Sequence, residues 1–291
     1  MSDWGGWGPC LEGELIGDGR RGCGCGPGTV AKQERNRGTL PPYIAVMRKH
    51  AGRFPAQVPQ VLYLDLTAGP ARYRDTTGIE YTSTGLAAHE AFARAGLRTV
   101  SLNFERVPPF AEHLKETLDN RPRPDLLAPL VFPGDAWKGV DAVLEMAREM
   151  FKWERGCFPF GFVSLDPNGE PDLERLAGLV RRHRDLLDFV DLWVHLPATI
   201  MKLVRRVHGR GLLEDRLRAI PKRYWKVRAP EGPLGWMELV GTNWPEAPTW
   251  RAAGFVDLDS PEGLAVLEGA TFTEAERRAR GSARQLGLAL P

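Results

Sequence analysis

The chain has 291 residues, 43% of them hydrophobic and 26% charged, with a formal net charge of +2. This is apolar material enough for a core at an ordinary charge content, which excludes a disordered or collagen-like chain. No apolar run reaches the roughly 20 residues of a membrane span, and Met1-Ser-Asp-Trp-Gly-Gly-Trp-Gly lacks the basic-then-apolar layout of a signal peptide, so the sequence reads as cytoplasmic.

Residues 1–40 are rich in Gly and charge, with Gly-Asp-Gly-Arg-Arg-Gly-Cys-Gly-Cys-Gly-Pro-Gly at 17–28, and are expected to form an arm ahead of the folded domain. Three of the four cysteines, Cys10, Cys23 and Cys25, fall there, and the fourth is Cys157. So few thiols argue against a disulfide framework. The single residue between Cys23 and Cys25 is tighter than the usual zinc-ligand spacing of about two to four. They read as free thiols and no metal is expected, a tetrahedral site closed by Cys157 or His50 being the alternative.

From Pro41 a short helix places Tyr43, Val46 and Met47 on one face. Apolar strand-like runs then alternate with amphipathic segments, the pattern of a parallel sheet covered by helices on both faces. The expected strands are 61–66, 99–104, 126–132, 161–165 and 189–196; the expected helices are 85–95, 109–118, 140–153, 171–183 and 197–208. Beyond Pro221 the rhythm changes: 223–228 and 236–241 read as two strands joined by a Pro/Gly turn, a closing antiparallel hairpin. The tail offers the helix start Ser260-Pro-Glu and a basic helix from Thr273 to Arg280. The expected organisation is an α/β domain over 41–245 with a helical extension, 246–291, packed on it.

In an open α/β sheet a ligand sits outside the carboxyl ends of the strands, at the switch point in strand order. The first strand ends Asp65-Leu-Thr67-Ala68-Gly69-Pro, where glycine lets the backbone approach a ligand and the carboxylate is suited to an ammonium group; a tight turn capped by Asp65 is the structural alternative. Glu105, ending the second strand, suits a pair of ribose hydroxyls or the start of the next helix. Gly134-Asp135 after the third strand is placed to accept from an adenine amino group, and is also an ordinary turn pair. The fourth strand ends Asp166-Pro167-Asn168-Gly169, a common turn composition. At this strand end, methyltransferases acting on exocyclic amines carry an acidic or amide residue followed by two prolines and an aromatic. Asp166 supplies the acceptor here, and no aromatic follows.

Five parallel strands and a hairpin resemble the doubly wound seven-stranded sheet of class I methyltransferases. Tyr63-Leu-Asp-Leu-Thr-Ala-Gly-Pro-Ala-Arg-Tyr73, Ser83-Thr-Gly85, Asn103-Phe-Glu105, Gly134-Asp135, Asp166-Pro-Asn-Gly169 and Leu239-Val-Gly-Thr-Asn243 resemble, in order from Pro41 to Asn243, the three-Cys-motif partner protein family. Thr67 and Ala71 stand where that family has Phe and Gly. The resemblance implies the methyltransferase fold and S-adenosylmethionine as cofactor, held by Asp65, Thr67, Ala68, Gly69, Glu105 and Asp135, with Asp166, Pro167 and Asn168 presenting an acceptor nitrogen. Between Lys202 and Arg228 ten Lys or Arg stand against Glu214 and Asp215, a stretch suited to nucleic-acid phosphates, with Trp193, Tyr224, Trp225 and Trp244 available to stack on a base or to pack the core. A methyltransferase modifying a nucleic-acid amino group is the expectation. A non-catalytic scaffold for a protein or nucleic-acid partner is the alternative.

Overall fold

A computed structural model describes residues 27–51, 60–74, 80–121, 129–151, 159–167, 169–197, 201–202, 213–230, 236–244 and 248–285, with the short strand pair Leu15–Ile16 and Arg20–Arg21. Its centre is an eight-stranded mixed sheet built from β1 (Val61–Asp65), β2 (Thr99–Glu105), β3 (Leu130–Pro133), β4 (Phe160–Leu165), β5 (Val190–Pro197), β6 (Tyr224–Arg228), β7 (Trp236–Thr242) and β8 (Val256–Asp257). Across the sheet the order is β8-β6-β7-β5-β4-β1-β2-β3. Strands β3, β2, β1, β4 and β5 run parallel; β7 lies antiparallel to both β5 and β6, so β6 shares the common direction.

The eighth strand exceeds the seven expected. It is two residues long and pairs only with Lys226 and Val227 at the sheet edge, too short to show any hydropathic period. The other expected strands lie close to the observed ones, except that β3 begins at Leu130 and residues 126–128 are outside the described residues.

Alternation along the strands divides the core between two faces. Leu62, Leu64, Leu102, Phe104, Val163, Leu192, Val194 and Leu239 face α4 (Ala136–Met150), α5 (Leu173–Arg182), α6 (Arg184–Leu187), α7 (Leu213–Arg218) and α9 (Pro261–Thr271). Val61, Tyr63, Phe160, Phe162, Trp193 and Val240 face α1 (Pro27–Ala51), α2 (Thr84–Arg94) and α8 (Pro248–Ala252). With both faces covered, β1, β2, β4 and β5 are buried along their whole length, which is why β1 and β4 read as near-continuous apolar runs. Helix α3 (Pro108–Asp119) packs Leu114 and Leu118 against Ala68, Ala71 and Leu86.

Helix α1 departs from expectation by starting at Pro27, inside the presumed arm, and running through Pro41 and Pro42. Mid-helix prolines cost about 3 kcal/mol by removing hydrogen bonds and crowding the preceding turn. Here the carbonyls that lose their donors, on Arg37 and Gly38, are exposed and open to water, while Leu40, Tyr43, Ile44 and Met47 bury the opposite face against the sheet. Tertiary packing overrides the local break. The helix expected over 197–208 is represented by helical Met201–Lys202, its remainder lying outside the described residues.

Candidate functional site

The strand order reverses between β1 and β4, and the residues singled out from sequence converge on the carboxyl edge at that point. Asp65 ends β1 at 2% exposure. Its Oδ2 accepts from the Tyr63 hydroxyl at 2.5 Å, and its Oδ1 from the Thr67 N–H at 3.0 Å. Burial pushes the carboxyl up to about 7, with the charges of Asp166 and Glu105 adding to the rise and the two hydrogen bonds opposing it. A cation brought beside it would oppose that rise.

The first turn of α2 covers this carboxylate. Ser83 caps the helix by accepting from the Leu86 N–H at 3.3 Å, and a Cβ placed on Gly85 would stand 3.4 Å from Asp65 Oδ2 and 3.5 Å from Asn103 Oδ1. The absence of a side chain at Gly85 therefore keeps the helix start close over Asp65.

Glu105 joins two turns. Its Oε2 accepts from the Gly69 N–H at 2.7 Å, and its Oε1 from the Val107 N–H at 2.6 Å. The Arg106 backbone N–H also bonds this carboxylate, which leaves one of its four acceptor sites for a further donor. Burial raises its carboxyl above the usual range while the backbone N–H groups oppose that rise. Gly69 has φ +67 with open space where a Cβ would stand, so the turn presents bare backbone to the edge of the sheet. Ala68 donates its N–H to the Phe104 carbonyl at 2.8 Å, and Gly134 donates to the Glu105 carbonyl at 2.8 Å, tying the turns after β1, β2 and β3 together. Asp135 caps α4, its Oδ1 accepting from the Trp137 N–H at 3.0 Å.

Across the switch point the Asp166 N–H donates to Thr67 Oγ1 at 2.7 Å, and the Leu66 N–H donates to the Ser164 carbonyl at 3.0 Å. Asp65, Thr67, Ala68, Gly69, Glu105 and Asp166 are thus brought into one connected cluster, with Asp135 attached through Gly134. Pro167 follows Asp166 at partial exposure; Asn168 lies outside the described residues. Ala71 is fully buried in the small apolar group with Leu86 and Leu114. Sequence reasoning missed Tyr63, Asn103 and Ser164, which share the face of Asp65. The signal available was polar residues spaced by two in runs otherwise apolar.

Among the described residues, five of the cations in the stretch expected to meet phosphates are engaged by protein groups. Lys222 is buried and donates to the carbonyls of Leu187, Asp188 and Val190 at 2.6, 3.2 and 2.7 Å. Buried Lys226 pairs with Asp257 at 2.5 Å, and buried Arg228 pairs with Glu238 and donates to the Ala253 carbonyl at 2.9 Å. Arg216 meets Glu170 at 2.8 Å and Arg218 meets Asp259 at 2.6 Å. These cations hold the β6 region to its surroundings. Arg205, Arg206 and Arg210 lie outside the described residues. Of the four aromatics, Trp193 and Trp225 are buried in the core. Tyr224 begins β6 and Trp244 follows β7, which puts both at the edge opposite the carboxylates, where Trp244 packs on Phe189.

Among the described residues no helix is long and apolar enough to cross a membrane, and no group of three His, Cys, Asp or Glu is arranged for a metal ion. Cys10, Cys23, Cys25 and Cys157 lie outside them.

No family model and no curated protein matches the sequence. Among solved structures, protein LPL1258 from Legionella pneumophila aligns at 12% identity over 80% of this chain and 90% of that one, with a TM-score of 0.45. A DUF574 family protein from Streptomyces avermitilis aligns at 12% identity over 72% of this chain and 83% of that one, with a TM-score of 0.42. The METTL16 MTase domain aligns at 11% identity over 69% of this chain and 66% of that one, with a TM-score of 0.37. Likenesses of this size say nothing about activity.

Proposed function

We propose that this chain is an S-adenosylmethionine-dependent methyltransferase acting on an amino nitrogen. The observation that carries the reading is the convergence of three strand-end carboxylates, Asp65, Glu105 and Asp166, at the switch point of a sheet whose β3-β2-β1-β4-β5-β7-β6 order, with β7 alone reversed, is that of class I methyltransferases.

The donor set fits the cofactor. Asp65 is a buried carboxylate held by the Tyr63 hydroxyl and the Thr67 N–H, suited to the amino-acid ammonium; Glu105 has acceptor capacity left for a ribose hydroxyl; Gly69 leaves room for close approach; and Asp135 stands beside Glu105, suited to the base. The bound cofactor supplies an electrophilic methyl on a sulfonium leaving group, so the protein's task is alignment and exclusion of water rather than acid–base chemistry. Asp166 accepts a hydrogen bond from the acceptor amine and orients its lone pair. With Lys222, Lys226 and Arg228 engaged internally, the Asp166-Pro167 turn is the feature that favours a nucleic acid as the acceptor.

Calorimetry with S-adenosylmethionine tests the reading. Wild-type protein binds and Glu105→Ala binds at least about tenfold more weakly; no heat with folded wild-type protein overturns it. Transfer of a tritiated methyl group to mixed DNA and RNA, lost in Asp166→Ala, is the expected catalytic result. Binding without transfer to these or to proteins and small amines leaves the scaffold.

A further inference from the structure

We infer that Thr67 is a positioning residue whose hydroxyl makes the acceptor turn after β4 respond to occupancy of the cofactor turn after β1. The inference rests on the methyltransferase reading. It starts from where the backbone bonds run out: the ladder between β1 and β4 ends at Asp65 opposite Ser164, and one further bond runs from the Leu66 N–H to the Ser164 carbonyl. The Asp166 N–H lies beyond that, and its acceptor is Thr67 Oγ1 at 2.7 Å. The Thr67 N–H in turn donates to Asp65 Oδ1 at 3.0 Å, and Asp65 Oδ2 accepts from Tyr63.

One residue therefore holds the Asp65 carboxylate with its backbone and Asp166 with its side chain. A ligand cation drawn to Asp65 acts on a group directly bonded to Thr67, and any shift of Thr67 is passed to the backbone of Asp166. A carbon-only side chain at this position cannot accept that bond. Serine retains the oxygen, and valine keeps the shape without it.

Hydrogen exchange of the Asp166 amide, with S-adenosylmethionine as the probe, tests this. In wild-type protein and in Thr67→Ser the cofactor raises protection of that amide about fivefold or more. In Thr67→Val the amide exchanges about fivefold faster than wild type without cofactor and gains no protection at saturating cofactor. Should the valine variant not fold, Thr67→Ala, which adds no bulk, takes its place with the same expectations. Cofactor binding with an Asp166 amide equally protected and equally responsive in the valine or alanine variant overturns the coupling and leaves the methyltransferase reading standing. No cofactor binding by wild-type protein overturns both.

Discussion

Asp65 ties ligand chemistry to stability. Its carboxyl has an ordinary value of 3.8 and is pushed up to about 7 in the fold, so between those values the folded state holds a proton that the unfolded chain has lost. Stability from this group is therefore full at acid pH and falls as pH rises toward 7. Asp65→Asn is expected to flatten that fall and to raise the melting temperature at pH 8 by roughly 2–6 °C, measured by calorimetric scans from pH 5 to 8. Cofactor affinity runs the other way in wild-type protein, tightening from pH 6 to 8 as the carboxylate becomes available to pair with an ammonium. The position of Asp65 was legible because a charged residue closes an apolar run just before Gly69. Most of its surroundings were not, since Ser164 and Gly85 meet it only through strand register and the packing of α2.

Among the elements, β4 sets Gly161 beside Leu62 of β1. The glycine has φ +138, and a Cβ there would stand 2.0 Å from the Leu62 carbonyl oxygen. Gly161→Ala is expected to destabilise the protein by at least about 3 kcal/mol, or to prevent folding. Gly169→Ala, at a position with open space for a Cβ, shifts thermal melting little and serves as the control. The strands were readable as buried runs bounded by turns. The extent of α1 was not, because what sustains it past Pro41 is the pocket that Leu40, Tyr43, Ile44 and Met47 fill on the sheet.

Over the whole molecule, the cations of the β6 region lock distant parts of the chain together. Arg228 reaches Thr39 on α1, Ala253 after α8 and Glu238 on β7, while Glu238 also receives the Trp193 Nε1–H at 3.2 Å. Arg228→Met leaves Glu238 buried without that guanidinium and is expected to cost roughly 3 kcal/mol in urea unfolding. Exposed Arg223→Glu should change stability by less than about 0.5 kcal/mol. In sequence the run looked like a solvated basic patch because its partners, the carbonyls after α6 and the carboxylates of β7 and β8, lie on elements brought near only by the sheet.

The reversed strand β7 also dictates an order of assembly. It comes after β6 in the chain yet lies between β6 and β5, so β6 cannot join the sheet until residues 236–242 have been made. A nascent chain that has emerged only as far as Arg228 holds β5 with an unpaired apolar edge, the kind of edge that invites pairing with other chains. The final third of the sheet closes as one event, and the span between the synthesis of β5 and β7 is when the growing polypeptide is most exposed to aggregation.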